Sequence, residues 1–396
     1  MLSSFTAEVV DALSGPDWLR RRRSDAFDSF SAAALPTEAE EVWRYSRISE
    51  LDLDRYEPAL DGAGPRVEVD PALEARGVVV GNLGDVDDGD DVLGAVAGAA
   101  VDAFVELNVA FLVAPLLVRV PDGLAVEEPI IVEHRFEAGG AAMFPRLVVQ
   151  VGRDAEVTVI ERHVSGDVDG LVVPVTELDV AEAGRLRYVD VQVLGPRVWQ
   201  VAYQASRVAR DATLQASAVA LGGSYARLRT DSRLVGKGAS SQLLAVYFGE
   251  GEQMHDFRTM QDHAAPNTTS DLLFKGAVQD RARSVYSGLI RVRKEAMGTN
   301  AFQTNRNLVL SEGAHADSVP NLEIEANDVR CSHASAVGPI DAEQLYYLES
   351  RGVPPDVAER LIVLGFFDEV IDRLPVGPFE RELRADIAGK LERRSA

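Results

Sequence analysis

The sequence has one cysteine, Cys331, in 396 residues. That excludes an internal disulfide framework, and equally a metal site built from several thiolates of this chain alone. Lysine is almost as scarce: Lys237, Lys275, Lys294 and Lys390 are the full set, and arginine supplies the other fixed cations. With 63 acidic against 40 basic residues the formal charge is −23. This balance excludes the concentrated basic surface that nucleic acids require. The one basic run, Arg20 to Arg23 in WLRRRRSDAF, is followed at once by Asp25 and Asp28 and reads as a solvated helix face. Few lysines beside abundant Asp, Glu, Ala and Val suit a salt-adapted, halophilic-like cytosol, where a strongly hydrated acidic surface stays soluble.

Long apolar runs are also missing. AFVELNVAFLVAPLLVRV is interrupted by Glu106, Asn108 and Pro115, too broken to span a bilayer. MLSSFTAEVVDAL lacks the basic start and apolar core of a signal peptide. A soluble, cytoplasmic protein is the expectation, with neither membrane nor nucleic acid as partner. There is no His-Glu-x-x-His and no Gly-x-Ser-x-Gly, and GGSYARL and VGKGASS lack the Gly, Lys and Ser order of a phosphate loop. His134, His163, His255, His263 and His315 are scattered singly.

What is present falls into three textures, at residues 1–95, 96–338 and 339–396. The first reads as helices and loops, VDALSGPDWLRRRRSDAFDSF and then TEAEEVWRYSRISEL, before the acidic loop GDVDDGDD. In the second piece Thr37 and Glu40 fit a capping box just after Pro36. The middle region is a series of short β-type runs, among them LVVQV, VTVIERHV, LRYVDVQVL, LQASAVAL and NLEIEA. Small-residue turns separate them. Ala155, Gly184, Ala212, Ala239 and Thr268 serve as equivalent positions, at intervals of 29, 28, 27 and 29 residues. Near-constant spacing without intervening amphipathic helices favours a solenoid of β-coils over a sandwich.

The third region is helical. Asp341 caps PIDAEQLYYL, with Gln344 placed to reach back and Ile340 and Leu345 placed as a staple. Gly352 stops that helix and Pro354–Pro355 opens the next. There Val363, Phe366, Phe367, Val370, Ile371 and Leu374 fall on one apolar face, and Pro375 ends it. Such an aromatic hairpin is either core or, because a solenoid fills its own interior, part of a docking surface.

NDVRCSHASAVG, residues 327–338, places His333 two residues after Cys331 on a strand, so both side chains point to one face. A thiolate and an imidazole can bind a soft or borderline metal such as Fe or Zn. Two ligands do not complete a site, so the remainder would come from elsewhere; the other reading is an inert cysteine beside a surface histidine.

The run PNLEIEANDVRCSHASAVGPIDAEQLYYLESRGVP resembles the C-terminal signature of the SufB/SufD family, scaffold components of iron–sulfur cluster assembly. The similarity extends to AFVELNVAFLVAPLLVRVPDGLAVEEPI, to FPRLVVQVGRDAEVTVIERH and, more loosely, to LPTEAEEVWRYSRISEL. It implies a right-handed parallel β-helix between helical N- and C-terminal segments. SufB-type chains carry a cysteine shortly before the Pro-x-Leu/Ile-Glu segment and a glutamate at the position of His333. Here EGAHADSVPNLE puts Ala314 at that cysteine position, and the Cys-Ser-His context looks like SufD. His315 departs from the family pattern and carries no role.

The resemblance implies that Cys331 and His333 face a SufB-like paralogue and contribute to a transient iron–sulfur cluster there, His333 as the ligand and Cys331 in support. It implies that the C-terminal helices dock a SufC-like ABC ATPase, through Asp341, Leu345, Tyr346, Leu348, Arg351, Gly352, Leu361, Phe366, Phe367, Val370 and Ile371. Motion of that ATPase would open or close the shared interface. Self-pairing into a homodimer stays open beside pairing with SufB. A flavin, associated with family complexes, finds no nucleotide fingerprint here. The expectation is a non-catalytic scaffold subunit. The alternative on fold alone is a carbohydrate-acting lyase or hydrolase, which would require clustered carboxylates or a Lys or Arg base on one solenoid face.

Overall fold

The computed structural model describes residues 3–60 and 64–393. Among the described residues two long sheets run side by side, and successive strands of the middle region alternate between them. One sheet steps from Leu116–Val120 to His315–Ile324, the other from Ile130–Phe136 to Val329–Gly338, and the strand pairs along these two paths are parallel. Each coil thus places one strand in each sheet, which is a parallel β-solenoid. Val, Leu and Ala rows from the inner faces of both sheets form one continuous core.

The repeat seen in the sequence is the rise of this solenoid. In the second sheet Glu156 pairs with Arg185, Arg185 with Thr213, Thr213 with Ser240 and Ser240 with Thr269. Those steps reproduce the intervals of 29, 28, 27 and 29 residues one position earlier. Their cause is a turn. The residue before each repeat position has a left-handed backbone: Asp154, Ala183, Asp211, Gly238 and Asn267 all have φ between 52° and 75°. Asp, Asn and Gly tolerate that conformation, and the turns stack by backbone bonds such as Asp154 N–H to Glu182 O and Asp211 N–H to Lys237 O.

The sheets reach back past residue 96. Arg66–Glu68 and Val79–Asn82 add antiparallel strands to the first strands of the two sheets. The segment 103–120 divides at Pro115 into a helix, Ala103–Phe111, and a strand. Asp102 caps the helix by accepting from Phe104 N–H and Val105 N–H. No helix of the described residues is long and apolar enough to cross a membrane.

Two local expectations fail for tertiary reasons. Thr37 N–H does donate to the Glu40 carboxylate at 3.0 Å, but short 3-10 turns follow, at Glu41–Trp43 and Ile48–Glu50, in place of an α-helix. Arginines of the solenoid take the carbonyls a helix would use: Arg227 donates to Val42 O and Arg258 to Arg44 O, while the Arg227 guanidinium lies 3.7 Å from the Trp43 ring centre. Nor is the basic run wholly solvated. Arg22 pairs with Asp90, but Arg23 is buried and donates to Ser14 O, Leu112 O and Val113 O beyond the C-terminus of the helix Ala103–Phe111. Its burial lowers its pKa to about 10.

The C-terminal helices Ala342–Ser350, Pro355–Ile371 and Glu380–Arg393 follow the last strand. Asp341 accepts from Glu343 N–H and Gln344 N–H, the cap expected of it. Val363, Phe367, Val370, Ile371 and Leu374 pack on the outer face of the second sheet against Val219, Leu244, Val246, Phe248 and Leu273. Two of the four lysines fasten this layer. Lys275 Nζ, otherwise buried, donates to Phe366 O and pairs with Glu369, and Lys390 Nζ reaches Glu250 and Gln253.

Candidate functional site

The solenoid ends on an open rung. Each strand of its last coil, His315–Ile324 and Val329–Gly338, is the terminal strand of its sheet and pairs with a single earlier strand. In the preceding strand of the second sheet, Ala301, Gln303, Asn305 and Asn307 point inward and are buried. The register sets Cys331 over Ala301, His333 over Gln303 and Ser335 over Asn305. Cys331 and His333 therefore share the inward-facing row, as strand alternation requires. They are not sealed in, because no further coil of the described residues lies above them: Cys331 is half-buried and His333 exposed.

Cys331 packs beside Ile290, Val292, Ala296, Ala301 and Ala326. That burial pushes its thiol pKa up, against a smaller lowering from a backbone hydrogen bond with Ala301. The group is a thiol until a metal or a base takes its proton. Beneath His333, the Gln303 amide is buried with neither its oxygen nor its nitrogen hydrogen-bonded among the described residues, and the Ser318 hydroxyl across the mouth is likewise unpartnered. Gly288 makes room for this floor, since a Cβ there would lie 2.7 Å from Gln303 Oε1 and 2.1 Å from the Tyr286 hydroxyl. Further along the same strand the polar groups are satisfied. Tyr247 Oη donates to Asn307 Oδ1 at 2.7 Å, Asn305 Nδ2 donates to Tyr247 Oη, and Asn307 Nδ2 donates to Asn305 Oδ1. The mouth thus presents a thiol, an imidazole and unpaired polar groups to whatever covers it. The chemistry available is ligation with an incomplete ligand set.

The residues read as a docking surface divide in two. Phe367, Val370 and Ile371 are buried in the chain's own core at 0%, 0% and 2% exposure, and Phe366 is partly buried there with its carbonyl held by Lys275. The three buried side chains are not available to a partner, because the outer face of the second sheet already covers them. The helix Ala342–Ser350, by contrast, has no buried residue. Tyr346 and Leu361 stand out at 72% and 50% exposure, Asp341, Arg351 and Gly352 are exposed, and Leu345 and Leu348 are half-buried.

His315 lies on the outward row, 3.2 Å from Asp317. Carboxylates of the outer faces are largely taken up by arginines of neighbouring rungs, as in Arg187–Glu156, Arg207–Asp179, Arg293–Asp262 and Arg291–Glu323. That is not the clustered acid a carbohydrate-acting site would need. Two histidines that look scattered in the sequence are not: His134 pairs in register with His163, and between them lies Glu161. Their 29-residue separation, one coil, was the signal for this contact.

Comparison with known proteins follows the same lines. Residues 134–366 match the family described as SUF system FeS cluster assembly, SufBD core domain. An iron–sulfur cluster assembly SufBD family protein of Mycobacterium tuberculosis is 34% identical over 388 residues, covering 94% of each chain. Two proteins named iron–sulfur cluster assembly protein SufD are similar over shorter spans. That of Escherichia coli is 30% identical across 70% of this chain and 63% of its own, and that of Bacillus subtilis is 29% identical across 69% and 63%.

Proposed function

The chain belongs to the SufBD family of iron–sulfur cluster assembly proteins and is most like its SufD members, and from that premise we propose that it is a non-catalytic scaffold subunit whose open terminal rung pairs with a SufB-like paralogue. The observation that carries this reading is the inward row Cys331–His333 at a solenoid end that this chain leaves uncovered. Two free strand edges are templates for further strands, and the unpartnered Ser318 on one edge and Gln303 beneath the other would be satisfied once the mouth is closed. A nascent iron–sulfur cluster is the cargo there, with His333 as ligand, Cys331 beside it and the remaining ligands from the partner.

The exposed helix Ala342–Ser350 with Leu361 is the surface for a SufC-like ABC ATPase. It follows directly on the strand that bears Cys331 and His333, so a pull on the helix acts on that rung. The test is anaerobic cluster reconstitution on the complex co-purified with a SufB-like paralogue and the ATPase. The double variant Cys331→Ala/His333→Ala is expected to keep the complex and lose the visible iron–sulfur absorption. Unchanged cluster formation would sink the reading, and a chain that assembles only with itself would replace the paralogue by a second copy.

A further inference from the structure

The third site candidate lies at the opposite end of the solenoid, inside its first coils. Glu161 Oε1 is 3.1 Å from His134 Nε2 and 3.6 Å from His163 Nε2, and the three ligand atoms all lie within 4.8 Å of one another. The two imidazoles stack with ring centres 5.1 Å apart and planes 10° from parallel. All three residues are buried. We propose that His134, Glu161 and His163 bind one borderline divalent cation of the Zn2+ or Fe2+ class.

The geometry fits such an ion. Ligand distances of about 2.1 Å give a tetrahedral edge of about 3.4 Å, and the two edges that meet at Glu161 Oε1 bracket it. Two imidazoles and one carboxylate are also a ligand set these metals use with a position left open.

The surroundings prepare each ligand atom. His163 Nδ1–H donates to Asp190 Oδ1 at 3.0 Å, which leaves the lone pair on Nε2. That Nε2 is buried and has no hydrogen-bond partner among the described residues. Glu161 Oε2 is occupied by Tyr188 Oη at 2.6 Å and Thr176 Oγ1 at 2.9 Å, which leaves Oε1 to face both rings. Two buried carboxylates, Glu161 and Asp190, thus meet only imidazoles and hydroxyls among the partners seen here, with no arginine or lysine to balance them. A divalent cation supplies that balance. On one side His134 also lines a pocket of about 60 Å³ with Pro65, Met143, Phe144 and Pro145.

The experiment uses the full chain, stripped with a chelator and titrated with Zn2+ by calorimetry and with Co2+ by visible absorption. The background is the Cys331→Ala/His333→Ala variant, so that the exposed pair cannot supply the site. One equivalent is expected to bind there. Glu161→Gln and His134→Ala should weaken it at least 100-fold, and Asp190→Asn by about ten- to a hundred-fold. Should the core variants fail to fold, zinc-edge absorption of the loaded background protein reads the ligands without them; two imidazoles with oxygen are expected. Absence of binding, a folded Glu161→Gln chain that binds as before, or a first shell without imidazole would overturn the proposal. None of these results bears on the terminal rung, which shares no residue with this site.

Discussion

At the scale of single residues, the solenoid is set by what each turn tolerates. Ala183 stands where the other coils have Asp, Asn or Gly, with φ of 56°. An alanine there carries the left-handed penalty of about 1–2 kcal/mol, which glycine avoids at a smaller entropic loss. Ala183→Gly is therefore expected to raise stability by about 0.5–1 kcal/mol in a denaturant titration. A second residue-level consequence is acid sensitivity. Burial lowers His255 and His263 to about 4, from an ordinary 6.5. Both are neutral when folded, so the stability they contribute is fully present above the unfolded pKa and is lost as pH falls from about 6.5 toward 4, by up to about 3 kcal/mol each. The unfolding midpoint should drop between pH 7 and pH 5, and drop less in the His255→Gln/His263→Gln chain.

At the scale of elements, the C-terminal helices divide into a layer buried on the chain itself and a surface that stays exposed. The helix Pro355–Ile371 spends its strongest apolar side chains on the chain itself, with Phe367 against Phe248 at a ring separation of 6.1 Å. Phe367→Ala is expected to destabilise by about 3–5 kcal/mol, as a cavity in a packed layer does. Tyr346→Ala/Leu361→Ala removes only exposed groups and should leave the melting temperature within a degree or so of the parent, because surface changes of this kind are worth about 0.5 kcal/mol or less. The same double variant should weaken capture of the SufC-like ATPase by about tenfold or more. Loss of the melting temperature without loss of capture would reverse the two assignments.

At the scale of the whole molecule, a charge of −23 and an open end act together. Ion pairs along the rungs, such as Arg187–Glu156 and Arg293–Asp262, neutralise carboxylates locally, while the surplus of carboxylates repels itself across the surface. Salt shortens that repulsion, from a screening length of about 30 Å at 0.01 M to about 3 Å at 1 M. The thermal midpoint is expected to rise over that range of KCl, and a fall would show that the rung ion pairs outweigh the surplus. The open rung carries its own protection: Pro320 removes one backbone donor from the edge strand His315–Ile324, and Glu323 and Glu325 follow it. These features discourage indiscriminate strand pairing along His315–Ile324, and the edge Val329–Gly338 carries no proline.

The sequence by itself determined the coil length, the one strand face shared by Cys331 and His333, and the apolar face of the long C-terminal helix; that the shared face is the inward one came from the register over Ala301 and Gln303. Each follows from a local period, two residues for a strand, 3.6 for a helix and one turn per coil, which neighbours in the chain enforce. Tertiary structure alone decided which partner each period meets. It gave Phe367, Val370 and Ile371 to the chain's own sheet, buried Arg23 against distant carbonyls, and unwound the expected helix after Thr37 by drawing its carbonyls to Arg227 and Arg258. It also stacked His134 on His163 one coil apart, a contact that depends on register and so on every turn between them.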